Sequence, residues 1–207
     1  MKKFVLLVFL CSFISFQPAQ QSFAADKAEL QNFVNSLGNK IIAIASNNKI
    51  NSKKKKEQLA NIINQNVDIE WITKFVLGRH YKAASIGQKN KFGDLYRQFV
   101  INSYVPKFIE YGGAKFTITD VVSDSNYDVV KCVVNLKGDA ANINLDFRVR
   151  AGGADSKQKL LVFDFVAEGV SFIEAQRSEF NSVITNEGLD KFLIDLESKV
   201  KKLTNQG

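Results

Sequence analysis

Between residues 143 and 150 the chain alternates without a fault. Ile143, Leu145, Phe147 and Val149 are apolar, and Asn144, Asp146, Arg148 and Arg150 between them are polar or charged. Successive side chains of a strand point to opposite faces, so this segment is predicted to be a strand with one face in a core and the other in water. A sheet with one wet face has to cover its dry one, and the segments on both sides of this region are written at helical period. The pattern asks for helices laid on one face of an antiparallel sheet.

The neighbouring segments complete the sheet. Residues 116–122 and 127–136 read as two further strands separated by the polar turn 123–126, and Gly152 and Gly153 turn the chain into a fourth, 159–167. Before them, Asp26 and Glu29 form a capping-box pattern ahead of Leu30, Phe33, Val34, Leu37, Ile41 and Ile44, an apolar stripe at helical spacing. Ser52 is expected to open a second helix with Leu59, Ile62, Ile63 and Val67 inward. Asp68 caps a short third helix carrying Trp71, Ile72, Phe75 and Val76. Ser85 and Gln88 form another capping box before a long helix with Phe92, Leu95, Tyr96, Phe99 and Val100 inward, which Pro106 is expected to bend or end. After the strands, Phe172, Phe180, Val183 and Ile184 and then, beyond Gly188, Leu189, Phe192, Leu193, Leu196 and Val200 give two closing helices. The expected fold is α+β: a single curved antiparallel sheet of about four strands, with N- and C-terminal helices packed on one face and enclosing an apolar pocket.

The first twenty-four residues read differently. Lys2 and Lys3 precede an apolar run from Phe4 to Phe16, and Ser22 and Ala24 sit at the −3 and −1 positions of a cleavage site. Basic start, short apolar run and small-residue exit are the parts of a secretory signal peptide, here 1–24, with the cut placed after Ala24. The run is shorter than the roughly 20 residues that a membrane span needs. Leu10 before Cys11 does not suit lipid attachment. Residues 25–207 are then one exported domain, expected to be soluble, in which Cys132 is the sole cysteine and no intrachain disulfide can form. Loss of Lys2 and Lys3 takes the formal charge from +7 to +5, which suits an anionic partner such as lipid headgroups or an acidic protein. Nucleic acid is not expected in an exported chain. Lys53 to Lys56 lie in the first turn of a helix, where the dipole disfavours positive charge; this hints at a surface role, with a solvated charge run as the alternative.

The inventory for chemistry is short. His80 is the only histidine, no Gly-x-Ser-x-Gly elbow occurs, and Cys132 lies inside a strand. One histidine and one cysteine do not build an ordinary zinc site, and neither a phosphate-binding loop nor a dinucleotide fingerprint is present. No cofactor, metal or catalytic residue is expected. The phenylalanines are read either as an ordinary core or as walls of a cavity for an apolar ligand, and composition does not separate the two.

Two segments do. The first runs from Asp68 to Tyr104 and contains Phe75, Val76, Leu77, Gly78, Arg79, His80 and Tyr81, then Ala84, Ser85, Gln88, Phe92 and Phe99. The second joins 143–150 to Val162 through Ser171, with Asp164 and the run Glu168, Gly169, Val170, Ser171, and then to Arg177, Ser178 and Phe180. In order and spacing these resemble the MlaC family (the toluene-tolerance auxiliary component family), periplasmic phospholipid-binding proteins of the ABC-type system that maintains outer-membrane lipid asymmetry. Leu160 departs from the tryptophan often found there, and Lys53 to Lys56 and residues 151–157 look particular to this chain.

The resemblance implies a non-enzymatic periplasmic carrier, a monomer that shuttles phospholipid between an outer-membrane lipoprotein complex and the inner-membrane substrate-binding subunit of a transporter. It implies a deep apolar pocket with the headgroup near its mouth. The residues assigned to the wall are Phe75, Phe99, Tyr104, Phe147, Phe165, Val170 and Phe172, and those assigned to the mouth are Arg79, Tyr81 and Arg177. The alternative is a periplasmic enzyme acting on a small hydrophobic substrate in an α+β pocket, which requires His80 or a buried carboxylate inside that pocket.

Overall fold

Asp26 accepts a hydrogen bond from the Ala28 amide and starts α1, Lys27–Ser46. The computed structural model describes residues 26–110, 112–124, 126–136, 142–153 and 159–206. The expected signal peptide and its cut lie outside the described residues, as does most of the loop 151–157. From α1 the chain runs through α2 (Ser52–Asn66), α3 (Ile69–Leu77), α4 (Arg79–Ala83) and α5 (Ile86–Glu110). It then enters β1 (Lys115–Ser123), β2 (Asp128–Asn135), β3 (Ile143–Ala151), β4 (Leu160–Ala167) and β5 (Val170–Ser171), and closes with α6 (Phe172–Glu187) and α7 (Leu189–Gln206).

The sheet is an antiparallel meander in the order β1-β2-β3-β4-β5. The fifth strand, two residues long, is an addition to the four expected. Two bulges interrupt the register. Thr119 is the extra residue between Ile118 and Asp120 in β1, and Phe163 is the extra residue of β4 where Arg148 pairs with Asp164 but Val149 pairs with Val162. A bulge flips the inside-out alternation by one. Phe163 and Asp164 are thus both buried, although they are consecutive in a strand.

Helices cover one face in two layers. α1 lies across β1 and β2, and α2, α3 and α6 reach β4. The α1 approach is close enough that a Cβ at Gly38 would stand 2.7 Å from the Phe116 ring, so a side chain there would push helix and strand apart. α5 contacts α1, α2, α3 and α7, which explains why its apolar residues do not keep to one stripe. It also runs through Pro106, which does not end it, so of the two expectations, a bend or an end, the end is corrected. Val105 is fully buried and Phe108 packs against the same cluster, so burial on both sides offsets the lost backbone hydrogen bond.

The apolar interior falls into two clusters. One lies between the helices, around Phe92, Tyr96, Phe180 and Phe192. The other lies between α1 and the sheet, around Leu30, Val34, Val130 and Val149. Ile41 and Val67 touch both clusters.

Candidate functional site

Where the two clusters meet, packing is incomplete. A partly open cavity of about 80 Å³ lies at the seam, and the surface it exposes is apolar. Leu37 and Ile41 reach it from α1, Ile62 and Ile63 from α2, Ile69 and Ile72 from α3, and Val100, Tyr104 and Phe108 from α5. Phe147 of β3, Phe165 of β4 and Phe172 of α6 complete the aromatic side. Phe165 and Phe172 stack at 4.5 Å, and Tyr104 stands edge-on to Phe172 at 4.6 Å, so three rings from three elements form one wall. Phe147 meets Phe116 edge-on at 6.0 Å.

A pocket for a whole small ligand measures roughly 300–1,000 Å³, so this cavity is far smaller than a lipid. The polar groups near it are tied back into the protein. Tyr96, fully buried, donates its hydroxyl to Gln176, and burial holds its phenol well above the usual range. Burial also raises the Tyr104 phenol, with Gln176 nearby opposing the shift.

Asp164 is the one carboxylate at the cavity wall, and both its oxygens are engaged. Oδ2 accepts from the Ser171 hydroxyl at 2.6 Å and from Arg148 at 3.1 Å, and Oδ1 accepts the Ile173 amide at 3.2 Å. Desolvation raises its pKa, while Ser171, the Ile173 amide and Arg148 pull it back. This geometry anchors α6 to β4.

Of the residues assigned from sequence, Tyr104, Phe147, Phe165 and Phe172 line the cavity. Phe99 lies in the aromatic cluster between helices, 6.1 Å from Phe180, with the Lys199 ammonium 4.9 Å from its ring. Val170 stands at the β4–β5 turn and is 63% exposed. Phe75, Arg79 and Arg177 come together elsewhere, in an open cleft of about 530 Å³ between α3 and α6 that Ser178 and Asn181 also line.

In that cleft the Arg177 guanidinium lies 4.7 Å from the Phe75 ring centre, Phe75 stacks on Trp71 at 5.2 Å, and Arg150 covers the far side of Trp71 at 4.8 Å. Trp71 is edge-on to Phe163, a cavity residue, so this ladder separates cleft from cavity. Arg79 donates to Thr185 at 2.8 Å. Tyr81 faces another cleft, beneath the Lys89 ammonium at 4.8 Å. His80 sits 3.1 Å from Asn181 and does not line the cavity. Among the described residues no three metal-ligating side chains gather.

Sequence reasoning left out the aliphatic half of the wall. Leu37, Ile41, Ile62, Ile63 and Ile72 were legible as inward-facing helical positions, but periodicity says only that a face is buried, not that it borders a hollow. Asp164 carried a clearer signal: an acid in the apolar run 160–167.

A single meander sheet roofed by helices, with an apolar seam between its two clusters, defines a one-sheet α+β fold. Residues 35–198 match the family model of the MlaC protein, and the chain belongs to the MlaC family. It is 24% identical over 138 residues to the intermembrane phospholipid transport system binding protein MlaC of Haemophilus influenzae, a match over 66% of this chain and 64% of that protein. The chain therefore aligns with just under two thirds of that relative's length. The fold is similar to that of a phospholipid-binding protein from Ralstonia solanacearum solved in complex with a phospholipid, with a TM-score of 0.72 over 87% of this chain and 99% of the other. At 17% identity that likeness is one of fold.

Proposed function

We propose that this chain is a phospholipid carrier, exported to the periplasm after removal of residues 1–24, that encloses acyl chains at the seam between its two apolar clusters. The observation that carries this reading is the wholly apolar cavity there, together with membership of the MlaC family. The phospholipid held by the Ralstonia solanacearum protein of similar fold supports the same cargo. Each CH₂ removed from water contributes about 0.8 kcal/mol, so acyl chains supply ample free energy to part the clusters and enlarge the space. Tyr104, Phe147, Phe165 and Phe172 are the proposed wall, and Phe99 stands behind it. Arg79 and Arg177, flanking Phe75, are the proposed headgroup cations, since guanidinium groups suit phosphate oxygens; a lipid reaching them from the seam has to part the Phe75–Trp71 stack. Tyr81 and Val170 stand on the outer surface near these elements.

The carrier exchanges its load with an outer-membrane lipoprotein complex and an inner-membrane transporter subunit, acting as a monomer. Among the described residues no helix is long and apolar enough to cross a membrane. Carriage needs no chemistry from the chain.

The test is organic extraction of the purified protein followed by mass spectrometry. Phospholipid near one per chain is expected; a folded preparation that holds none and takes none up from vesicles sinks the reading.

A further inference from the structure

Between Glu29 and Glu57 the sequence has six lysines and no acidic residue: Lys40, Lys49, Lys53, Lys54, Lys55 and Lys56. Lys49 and Lys53 to Lys56 lie where α1 turns into α2, and Lys40 lies in the second half of α1. They outweigh the +5 of residues 25–207, leaving the remainder of the chain at −1. Elsewhere many lysines meet a carboxylate, as in Lys91–Glu197, Lys159–Glu29, Lys191–Asp195 and Lys201–Glu197. Those that do not, such as Lys82, Lys131 and Lys202, are spread along the chain rather than clustered. At the corner only Lys54 meets a carboxylate, Glu57 at 3.4 Å. Lys55 is accounted for by the fold: its buried ammonium donates to the Ala45 carbonyl at the end of α1. No carboxylate among the described residues pairs with Lys40, Lys49, Lys53 or Lys56.

Lys40, Lys49 and Lys53 are exposed and Lys56 is half-buried, and the positive charge of Lys53 and Lys54 in the first turn of α2 works against its dipole. A cost of that kind without a structural return marks a functional feature. The same two helices line the cavity on their inner side through Leu37, Ile41, Ile62 and Ile63. The hairpin thus has an apolar inner face and a cationic outer corner.

We propose that the lysine corner docks the chain on an anionic lipid bilayer. Its cations are compact charges on flexible stems, with no arginine or aromatic ring within residues 34–70. Such a patch matches a fluid layer of phosphates better than the fixed carboxylates of a protein partner, which favour planar, bidentate arginine. Docking there brings the inner faces of α1 and α2 next to the membrane that supplies or receives the cargo. The purpose of docking rests on the carrier reading; its test does not.

The test is co-sedimentation of residues 25–207 with vesicles of phosphatidylcholine alone or mixed with phosphatidylglycerol, at low and high salt. Wild type is expected to bind only the anionic vesicles and to release at high salt. Removing four corner lysines together (Lys49→Gln, Lys53→Gln, Lys54→Gln, Lys56→Gln) lowers that partition at least tenfold, given about fivefold for each lysine near an anionic surface. A control with the same charge loss elsewhere (Lys82→Gln, Lys89→Gln, Lys131→Gln, Lys202→Gln) stays within about threefold of wild type. Equal loss in both variants, or a wild type indifferent to phosphatidylglycerol, overturns the proposal and leaves an acidic protein as the corner's partner. Lipid content of the same preparations is read separately, so an empty wild type counts against carriage and not against docking.

Discussion

The Asp164 carboxylate on β4 accepts the backbone amide of Ile173, 3.2 Å away in the first turn of α6. A buried side chain of the sheet thus holds the start of a helix that walls the cavity, and the Ser171 hydroxyl and Arg148 converge on the same group. Replacing Asp164 with Ala strands the Ile173 amide and the Ser171 hydroxyl and leaves Arg148 with one carboxylate instead of two. Removing one partner of a buried pair costs about 3–5 kcal/mol, and Glu174, 3.2 Å from Arg148, keeps the loss near the lower end. Denaturant unfolding of D164A checks this.

The same carboxylate sets a pH dependence. Burial raises its pKa above 3.8, so the folded state holds the proton more tightly than the unfolded one. Its contribution to stability therefore rises as pH falls from the raised value towards 3.8. The stability difference between wild type and D164N is expected to widen in favour of wild type through that window and to be flat near neutrality. Chemical denaturation of both proteins at a series of pH values reads the sign directly; a gap that narrows on acidification contradicts it.

Filling the seam separates the cavity from the fold. Val100 lies on α5 at the cavity wall and is buried. Val100→Phe adds bulk to an 80 Å³ space, so stability should change by no more than about 1 kcal/mol, because void filling and overpacking oppose each other. Phospholipid recovered per chain should fall at least fivefold. Retention of lipid at the wild-type level would place the cargo somewhere other than the seam.

Much of this arrangement could be read from the chain, and the limits have physical causes. Ser85 and Gln88 exchange hydrogen bonds at 2.9 and 3.2 Å, as their spacing implied, because a capping box is decided within four residues. The alternation at 143–150 became β3 because one wet face leaves its mark on every second residue. The bulge at Phe163 left no such mark: in a run of apolar residues, a flip in facing direction changes nothing in the pattern. Phe75 and Phe99 show the same limit from another side. Both are inward or half-inward on amphipathic helices, yet one meets Arg177 in a surface cleft and the other meets Phe180 between helices. Which neighbour a buried ring meets is settled by tertiary packing, and single-chain periodicity carries no information on it. Lys55 likewise read as one of four equivalent lysines until the Ala45 carbonyl set it apart.

Cys132 lies on β2 beneath α1, and burial pushes its thiol up to about 12, with Asp146 adding to the shift. Thiolate is the reactive form, and at pH 8 only roughly one thiol in ten thousand is ionised at that value. The native protein should resist a thiol reagent for hours and react within minutes once unfolded in denaturant. Fast native labelling would mean that α1 lifts from the sheet readily, which a conductor of acyl chains along that seam could do; slow labelling confines opening to the other side of the seam.

Glu197 of α7 takes Lys201 at 2.8 Å on its own helix and Lys91 of α5 at 2.9 Å. Hydrogen bonds from Lys201 and then Lys91 lower its carboxyl from 4.5 to about 2. A lowered carboxylate favours the fold above its ordinary value, and that contribution is lost as pH falls from 4.5 through about 2. The pair is solvent-facing, so salt should weaken it. NMR titration of the Glu197 carboxyl is expected to give a midpoint near 2 at low salt, moving upward in high salt and in Lys91→Met, while Lys201→Met moves it further because Lys201 is the larger cause. If Lys91→Met leaves the midpoint in place, Lys91 contributes nothing across the helix pair, and α5 and α7 are joined by their apolar packing, such as Phe92 on Phe192, and by the Gln88–Asp190 and Asn102–Thr204 hydrogen bonds.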